Sequence, residues 1–560
     1  MGSKISKILI FLSVVIACAS LFSLKVSAYP SNSMVKVGIM DNAYKTVERT
    51  SVTIYGTDEC IIKDNENNQD YITLPKGKFL TITKKDDIYT LSFISDENLK
   101  EQCFEANKDF TITCPNGVLG IKDLIRGGKP AMYRGELRII GCSNKNYAFY
   151  VVNCLDVEYY LKGVVPCEMP VSFGLEALKA QAVAARNYSL SPRTKMTRCY
   201  DVVDSVASQV YHGYNRESDI SNNAIDKTHG IVALKNDEMI VAVFSSTAGG
   251  YTEDYSNTFS DPTTRAFPST PKDYLIARPD LPKFKPLNNE DDAYEFYSTK
   301  PLSYDIHSPL YRWTRSWTKE ELENALKSTL IIQSKTGFVK PALRNADDFG
   351  SLQEIKVTKR GDSGKIISLE LKTDKNVFTV EKELIIRRIF TKDGKALPSA
   401  NVVFKYDIDD KGNWSEIKAY GGGFGHGCGL SQYGAMYMAR DCKMSFETIL
   451  KHYYNGICLG TKPFELKDKF ITQCFYAPQK KAILIIPEKY DTEVLQLKIN
   501  NEIVNLDFSN DKKQRCEIDI SQYIKKEQLN TIIFTPPCQN RLDIRRTDKI
   551  KPIKIYIKLG

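Results

Sequence analysis

Long apolar runs are scarce in these 560 residues, and beyond Leu24 none is long and uncharged enough to cross a bilayer as a helix. Metal-ligand spacings are missing as well: no CxxC pair occurs and the five His lie far apart, so no metal site is expected. No dense basic block is present, which removes the clustered cationic face that nucleic-acid binding requires. No convincing internal repeat is visible either. The 14 Cys are spread at wide intervals, whereas a disulfide scaffold would concentrate them in a short chain. They read mostly as buried small hydrophobes, with one or two disulfides left open.

What is present points to a multi-domain globular protein. The chain is 42% hydrophobic and 26% charged, and its 31 Tyr and 25 Phe supply large side chains for several cores. Three or four domains are expected at this length. Lys4 and Lys7, the uncharged run from Ile8 to Leu24, and Val26-Ser27-Ala28 stand in the order of an export signal that ends before Tyr29. An uncleaved N-terminal membrane anchor is the alternative. Either way the working protein is expected outside the cytoplasm, secreted or associated with the cell wall or membrane. The net charge of +9 includes three Lys of that segment, and the mild positive balance that remains suits an anionic wall or membrane surface.

Short alternating runs such as Ser51 to Tyr55 and Phe79 to Thr83 predict a β-rich domain over 29–130. Residues 131–461 open with the strand-like runs Glu136 to Gly141 and Ala148 to Asn153 and then become helical. A Pro-rich stretch near 262–315 reads as a loop-rich insertion. Beyond it, Thr318 ahead of Glu320 and Glu321 predicts a helix over 317–330, and two alternating runs, Glu354 to Thr358 and Ile366 to Lys372, predict a hairpin. Residues 462–560 return to strand patterns and read as a β-sandwich-like C-terminal domain. The fold class is therefore α+β, a mixed core flanked by β-rich N-terminal and C-terminal domains.

Chemistry concentrates in Tyr160-Leu-Lys-Gly-Val-Val-Pro-Cys-Glu-Met-Pro170 and the Ala-rich stretch behind it. Pro170 cannot sit inside a helix and pushes Met169 extended, so Glu168 is expected on the turn that feeds a helix over 174–190. Lys179 and Arg186, seven apart, fall on one face of that helix. An acid between Cys167 and Met169, ahead of two cations, makes a polar pocket with an apolar lining. The bland alternative is a Glu that caps the helix or pairs with one of the cations.

This passage resembles the SpoIID/LytB family, bacterial cell-wall proteins of sporulation and division. Further matching stretches, between Tyr133 and Thr461, are Gln209-Val-Tyr211, Thr228-His-Gly230, Phe244-Ser-Ser-Thr-Ala-Gly-Gly250 and Gly422-Gly-Phe-Gly-His-Gly-Cys-Gly-Leu-Ser-Gln-Tyr-Gly-Ala435. The resemblance implies a SpoIID-like core that binds peptidoglycan glycan strands and, in one branch, acts as a lytic transglycosylase. It places the catalytic acid on Glu168 and substrate-binding positions on Lys179, Gln181 and Arg186, with Ser246, His426 and Gln432 as further candidates in the matching stretches. No cofactor is expected. The alternative is a non-catalytic binder that enhances a partner cell-wall amidase.

Two departures qualify the match. Ala207 and Ser208 stand where some relatives carry His and Cys zinc ligands, so a zinc requirement does not carry over. Ser245 stands where the family often has His. One carboxyl group suffices for a transglycosylase: it gives a proton to the leaving oxygen, and the sugar's own 6-hydroxyl then attacks, leaving a 1,6-anhydro end. An apolar lining raises such a Glu toward roughly 6 to 7, whereas a close Lys or Arg lowers it. Lys179 and Arg186 are therefore expected to hold a lactyl carboxylate rather than to touch Glu168. The glycines of 421–429 lack the Lys-Ser/Thr ending of a phosphate loop and read as sites of close backbone approach, with His426 and Gln432 either donors at the site edge or structural.

Overall fold

Alternation of side chains builds the N-terminal half. In Ser51–Gly56 the residues Val52, Ile54 and Gly56 point inward, and in Phe79–Lys85 Leu80 and Ile82 do the same. The computed structural model describes residues 33–66, 70–94, 101–191, 196–281, 285–408, 410, 414–466, 470–487, 494–507, 515–535 and 553–560. The expected export segment, 1–28, lies outside the described residues.

A six-stranded antiparallel sheet runs in the order 129–133, 119–126, 51–56, 79–85, 88–94, 101–106. A second sheet runs 202–203, 34–38, 149–156, 136–141, 110–113, 60–64, 70–74, with 48–49 also paired to 149–156. Their inner faces share one core, which includes Val35, Ile54, Leu80, Ile112 and Leu137. Because 110–113 pairs with 136–141, and 34–38 with 149–156, strands from both sides of residue 130 belong to one sheet.

The helices among the described residues are α1 (Val157–Glu168), α2 (Leu175–Leu190), α3 (Asp219–Asp226), α4 (Tyr255–Thr258), α5 (Glu290–Ser298), α6 (Lys319–Ser334), α7 (Glu383–Ile389), α8 (Gln432–Arg440) and α9 (Phe446–Tyr453). The fold is α+β. Its hub is α2, which packs against α1, α3, α8 and α9. The Ala residues at 177, 180, 182, 184 and 185 are fully buried, so neighbours close in on several sides of this helix at once.

Residues 313–421 carry a core of their own, formed by Trp317, Leu326, Leu369, Ile386 and Ile417 between two small sheets and helices α6 and α7. Thr318 caps α6 in a reciprocal capping box with Glu321, so the helix begins after Trp317, not at it. Trp317 instead lies in a strand, Trp313–Thr318, with its indole N–H donated to the Thr391 carbonyl at 2.8 Å. The hairpin is present as 352–360 paired with 366–373. The described residues of 262–315 are mostly turns and irregular chain, interrupted by α5, whose Asn289 cap accepts the Asp292 N–H.

The C-terminal block divides between two sheets. Strands 471–477, 528–534, 494–499 and 502–507 form one. Strands 482–486, 516–519 and 553–559 join 458–461 and 231–235 in the other, so the block shares a sheet with the core.

Candidate active site

Glu168 is the last residue of α1. The helix stops there because Met169, ahead of Pro170, is extended at φ −134° and ψ 126°. The acid thus stands at a helix C-terminus, not on the turn expected from sequence: Pro170 ends the helix one residue later than that expectation placed it. Glu168 is half-buried, and its Oε1 accepts the Val210 N–H at 2.5 Å. Burial pushes its carboxyl up to about 7, against the opposing pull of that hydrogen bond.

The Val210 amide is held in place by its neighbours. Tyr160 donates to Gln209 Oε1 at 3.1 Å, and Tyr211 donates to Asn153 Oδ1 at 2.7 Å. Asn153 in turn donates to the carbonyls of Arg134 and Glu136. The Gln209-Val-Tyr211 stretch is therefore a strap between α1 and the large sheet that aims one N–H at the acid. Tyr188 of α2 also lies within the electrostatic reach of Glu168, and its ring meets Phe244 edge-on at 6.5 Å. Val210 and Tyr188 escape reasoning from side-chain chemistry, since one acts through its backbone and the other looks like helix core.

The candidate helix residues separate. Arg186 is 1% exposed and forms a bidentate ion pair with Glu158 at 2.8 and 2.6 Å, with a third bond to the Ile231 carbonyl at 2.9 Å. Although burial pushes Glu158 up, Arg186 and the nearby His229 outweigh it and hold the carboxyl below its ordinary value. The expectation that Arg186 binds substrate is therefore corrected. Its place on the Lys179 face stands, but α2 is enclosed, and that face at Arg186 turns into the protein.

Lys179 pairs with Glu176 at 2.6 Å and lies 5.5 Å from the Phe446 ring, while the other Glu176 oxygen accepts the Phe446 N–H at 2.8 Å. That ties α2 to the start of α9. Gln181 is fully buried and accepts from Gln432 Nε2 at 3.2 Å, joining α2 to the first residue of α8. Ser246 is half-buried and its carbonyl accepts the Tyr433 N–H at 3.0 Å. Two buried polar atoms, Gln181 Nε2 and Ser245 Oγ, have no partner among the described residues.

His426 takes the structural alternative. Its Nδ1 accepts the Cys428 N–H at 3.1 Å, its ring lies edge-on to Phe259, and its carbonyl accepts from the buried Lys365. Burial and Lys365 push the imidazole down to about 3, so it is neutral at working pH and is no proton donor of the imidazolium kind. Ser208 likewise has a local role, accepting the Val203 N–H at 3.1 Å.

Comparison with known proteins agrees with this core. Residues 145–234, which hold α1, Glu168, α2 and the strap, match the family model described as stage II sporulation protein. Residues 253–429 match a domain of unknown function (DUF8618). The amidase enhancer of Bacillus subtilis (strain 168) is 33% identical over 304 residues, covering 53% of this chain and 40% of that protein. Stage II sporulation protein D of Bacillus amyloliquefaciens is 27% identical over 348 residues, covering 59% of this chain and 81% of its own length. An uncharacterized protein of Brachyspira hyodysenteriae is 29% identical over 327 residues, covering 58% and 71%. The chain thus spans about two fifths of the amidase enhancer and most of the other two. The stretch that holds the acid and the strap is thus similar to the stage II sporulation protein family.

Proposed function

We propose that this is an extracytoplasmic cell-wall protein that binds peptidoglycan glycan strands and cleaves them as a lytic transglycosylase, in wall remodelling during sporulation. One observation carries the reading: a half-buried Glu168 with a single backbone donor and a carboxyl raised to about 7. Such a group is substantially protonated at neutral pH and can give its proton to the leaving 4-oxygen as the sugar ring becomes oxocarbenium-like. Ionised by that transfer, it gains from the Val210 N–H, which steadies the carboxylate while it takes the proton of the attacking 6-hydroxyl. Leaving-group departure and ring closure thus use one carboxyl, and no second acid is needed.

Glu168→Gln tests the assignment, because it removes the proton but keeps size and polarity. The variant is expected to bind strands like the parent in a pull-down and to release no soluble muropeptides. Equal turnover by variant and parent would end the catalytic assignment.

The similarity to a protein named amidase enhancer favours a second reading, in which the chain binds strands and stimulates a partner amidase without cutting them. Under that reading Glu168→Gln stimulates the amidase as well as the parent does, and neither cleaves purified strands.

A further inference from the structure

One aromatic ring stands out of the Gly-rich loop. Phe424 is 44% exposed, between Gly423 at φ 88° and Gly425 at φ 105°. An isolated exposed Phe on a loose loop would be ordinary surface. Here the backbone on both sides is fixed. Phe424 exchanges both backbone hydrogen bonds with Thr247, at 2.9 and 3.3 Å. The Gly423 N–H goes to the Leu310 carbonyl at 2.9 Å, the Gly423 carbonyl takes the Trp313 indole N–H at 3.0 Å, and the Gly425 N–H goes to the Pro398 carbonyl at 3.0 Å. Lys365 holds the next carbonyl, that of His426. A Cβ at either glycine would come within 2.9 Å of Thr247 or Ser245, so the glycines are what lets the loop lie this close to its supports.

The ring is also placed relative to the acid. Tyr188, which senses Glu168, meets the ring of Phe244, and Phe244 lies three residues before Thr247, the partner of Phe424. The carbonyl of Ser246, next to Thr247, takes the Tyr433 N–H at 3.0 Å, and the Tyr433 ring meets that of Phe173, five residues beyond Glu168, edge-on at 4.9 Å. A pyranose has polar edges and an apolar C–H face, and a pre-fixed aromatic plane meets that face at little cost in side-chain entropy.

We infer that Phe424 is the stacking platform of a sugar subsite next to the Glu168 centre, taking the apolar face of an amino-sugar ring of the strand. The inference rests on the proposed strand binding and adds the residue that reads the ring. Loop rigidity is then part of recognition, since a platform that needs no ordering keeps its full contact area on binding.

The test is a pull-down of the full chain with purified, peptide-stripped glycan strands, using Phe424→Ala, Phe424→Leu and Phe424→Trp. Loss of a stacked ring is expected to weaken binding by about tenfold in both Ala and Leu variants, with unchanged melting temperature. Trp is expected to restore it, and high salt to leave the parent-to-Ala ratio unchanged, because stacking is not ionic. A merely structural role would be met by Leu. Ala or Leu variants that bind within about twofold of a binding parent would overturn the inference alone. A parent that does not bind strands would overturn the proposed strand binding and the subsite with it.

Discussion

Glu168 and Arg186 are both half-buried or buried charged groups near one helix pair, yet their surroundings give them opposite roles. Arg186 and Glu158 neutralise one another in the interior, so neither has charge left for a ligand. Breaking such a pair strands the survivor: Arg186→Met is expected to cost about 3 to 5 kcal/mol in urea unfolding, and the molecules that stay folded are expected to bind strands normally. Glu168 has a raised carboxyl and a single backbone donor. Its folded value of about 7 lies above that of an unfolded Glu, so the favourable difference is full below the unfolded value and is lost as pH rises through about 7. Two outcomes are expected from this sign. The rate falls above about pH 7 as the acid loses its proton, and Glu168→Gln is more stable than the parent at alkaline pH by on the order of 2 kcal/mol. A pH–rate profile and unfolding curves at acid and alkaline pH check both.

At the scale of elements, much was legible. The strands Glu136–Gly141 and Phe79–Lys85 and the helix Leu175–Leu190 lie where alternation, Ala content and the Pro170 stop place them. Thr318 marked the start of α6 through its spacing to Glu321; Thr318→Ala is expected to cost about 1 kcal/mol, read as a lower melting temperature. What local pattern could not supply is which side of a helix is covered. Seven-residue spacing put Lys179 and Arg186 on one face, but burial of that face at Arg186 comes from Glu158 and Ile231, which no local window contains. The Val210 amide escaped for a related reason, because its direction is set by Tyr160 and Asn153 pulling on its neighbours. The Gly-rich loop was legible as a place of close backbone approach, and its supports at Leu310, Trp313 and Pro398 come from distant sequence.

Across the whole molecule, strands far apart in sequence close the sheets. The strand Ile553–Leu559 pairs with 458–461, 464–466 and 482–486, so the last residues hold together the end of the core and the C-terminal block. Removing 553–560 is expected to abolish cooperative folding rather than to trim a tail, which circular dichroism and limited proteolysis would show as lost melting and rapid cleavage. A shortened chain that melts like the parent would mean that the block is independent. The same long-range closure lets residues 313–421 grip the Gly-rich loop, through Trp313 and Lys365, while Glu168 is set by the other half of the core.

In the proposed reaction one carboxyl, with the sugar's own hydroxyl, does the cutting. Mass spectrometry of the products from purified glycan strands tests it most directly. The parent is expected to give 1,6-anhydro ends and Glu168→Gln none. Reducing ends in place of anhydro ends would mean that water attacks and that a second catalytic group has been missed; intact strands would contradict the enzyme altogether.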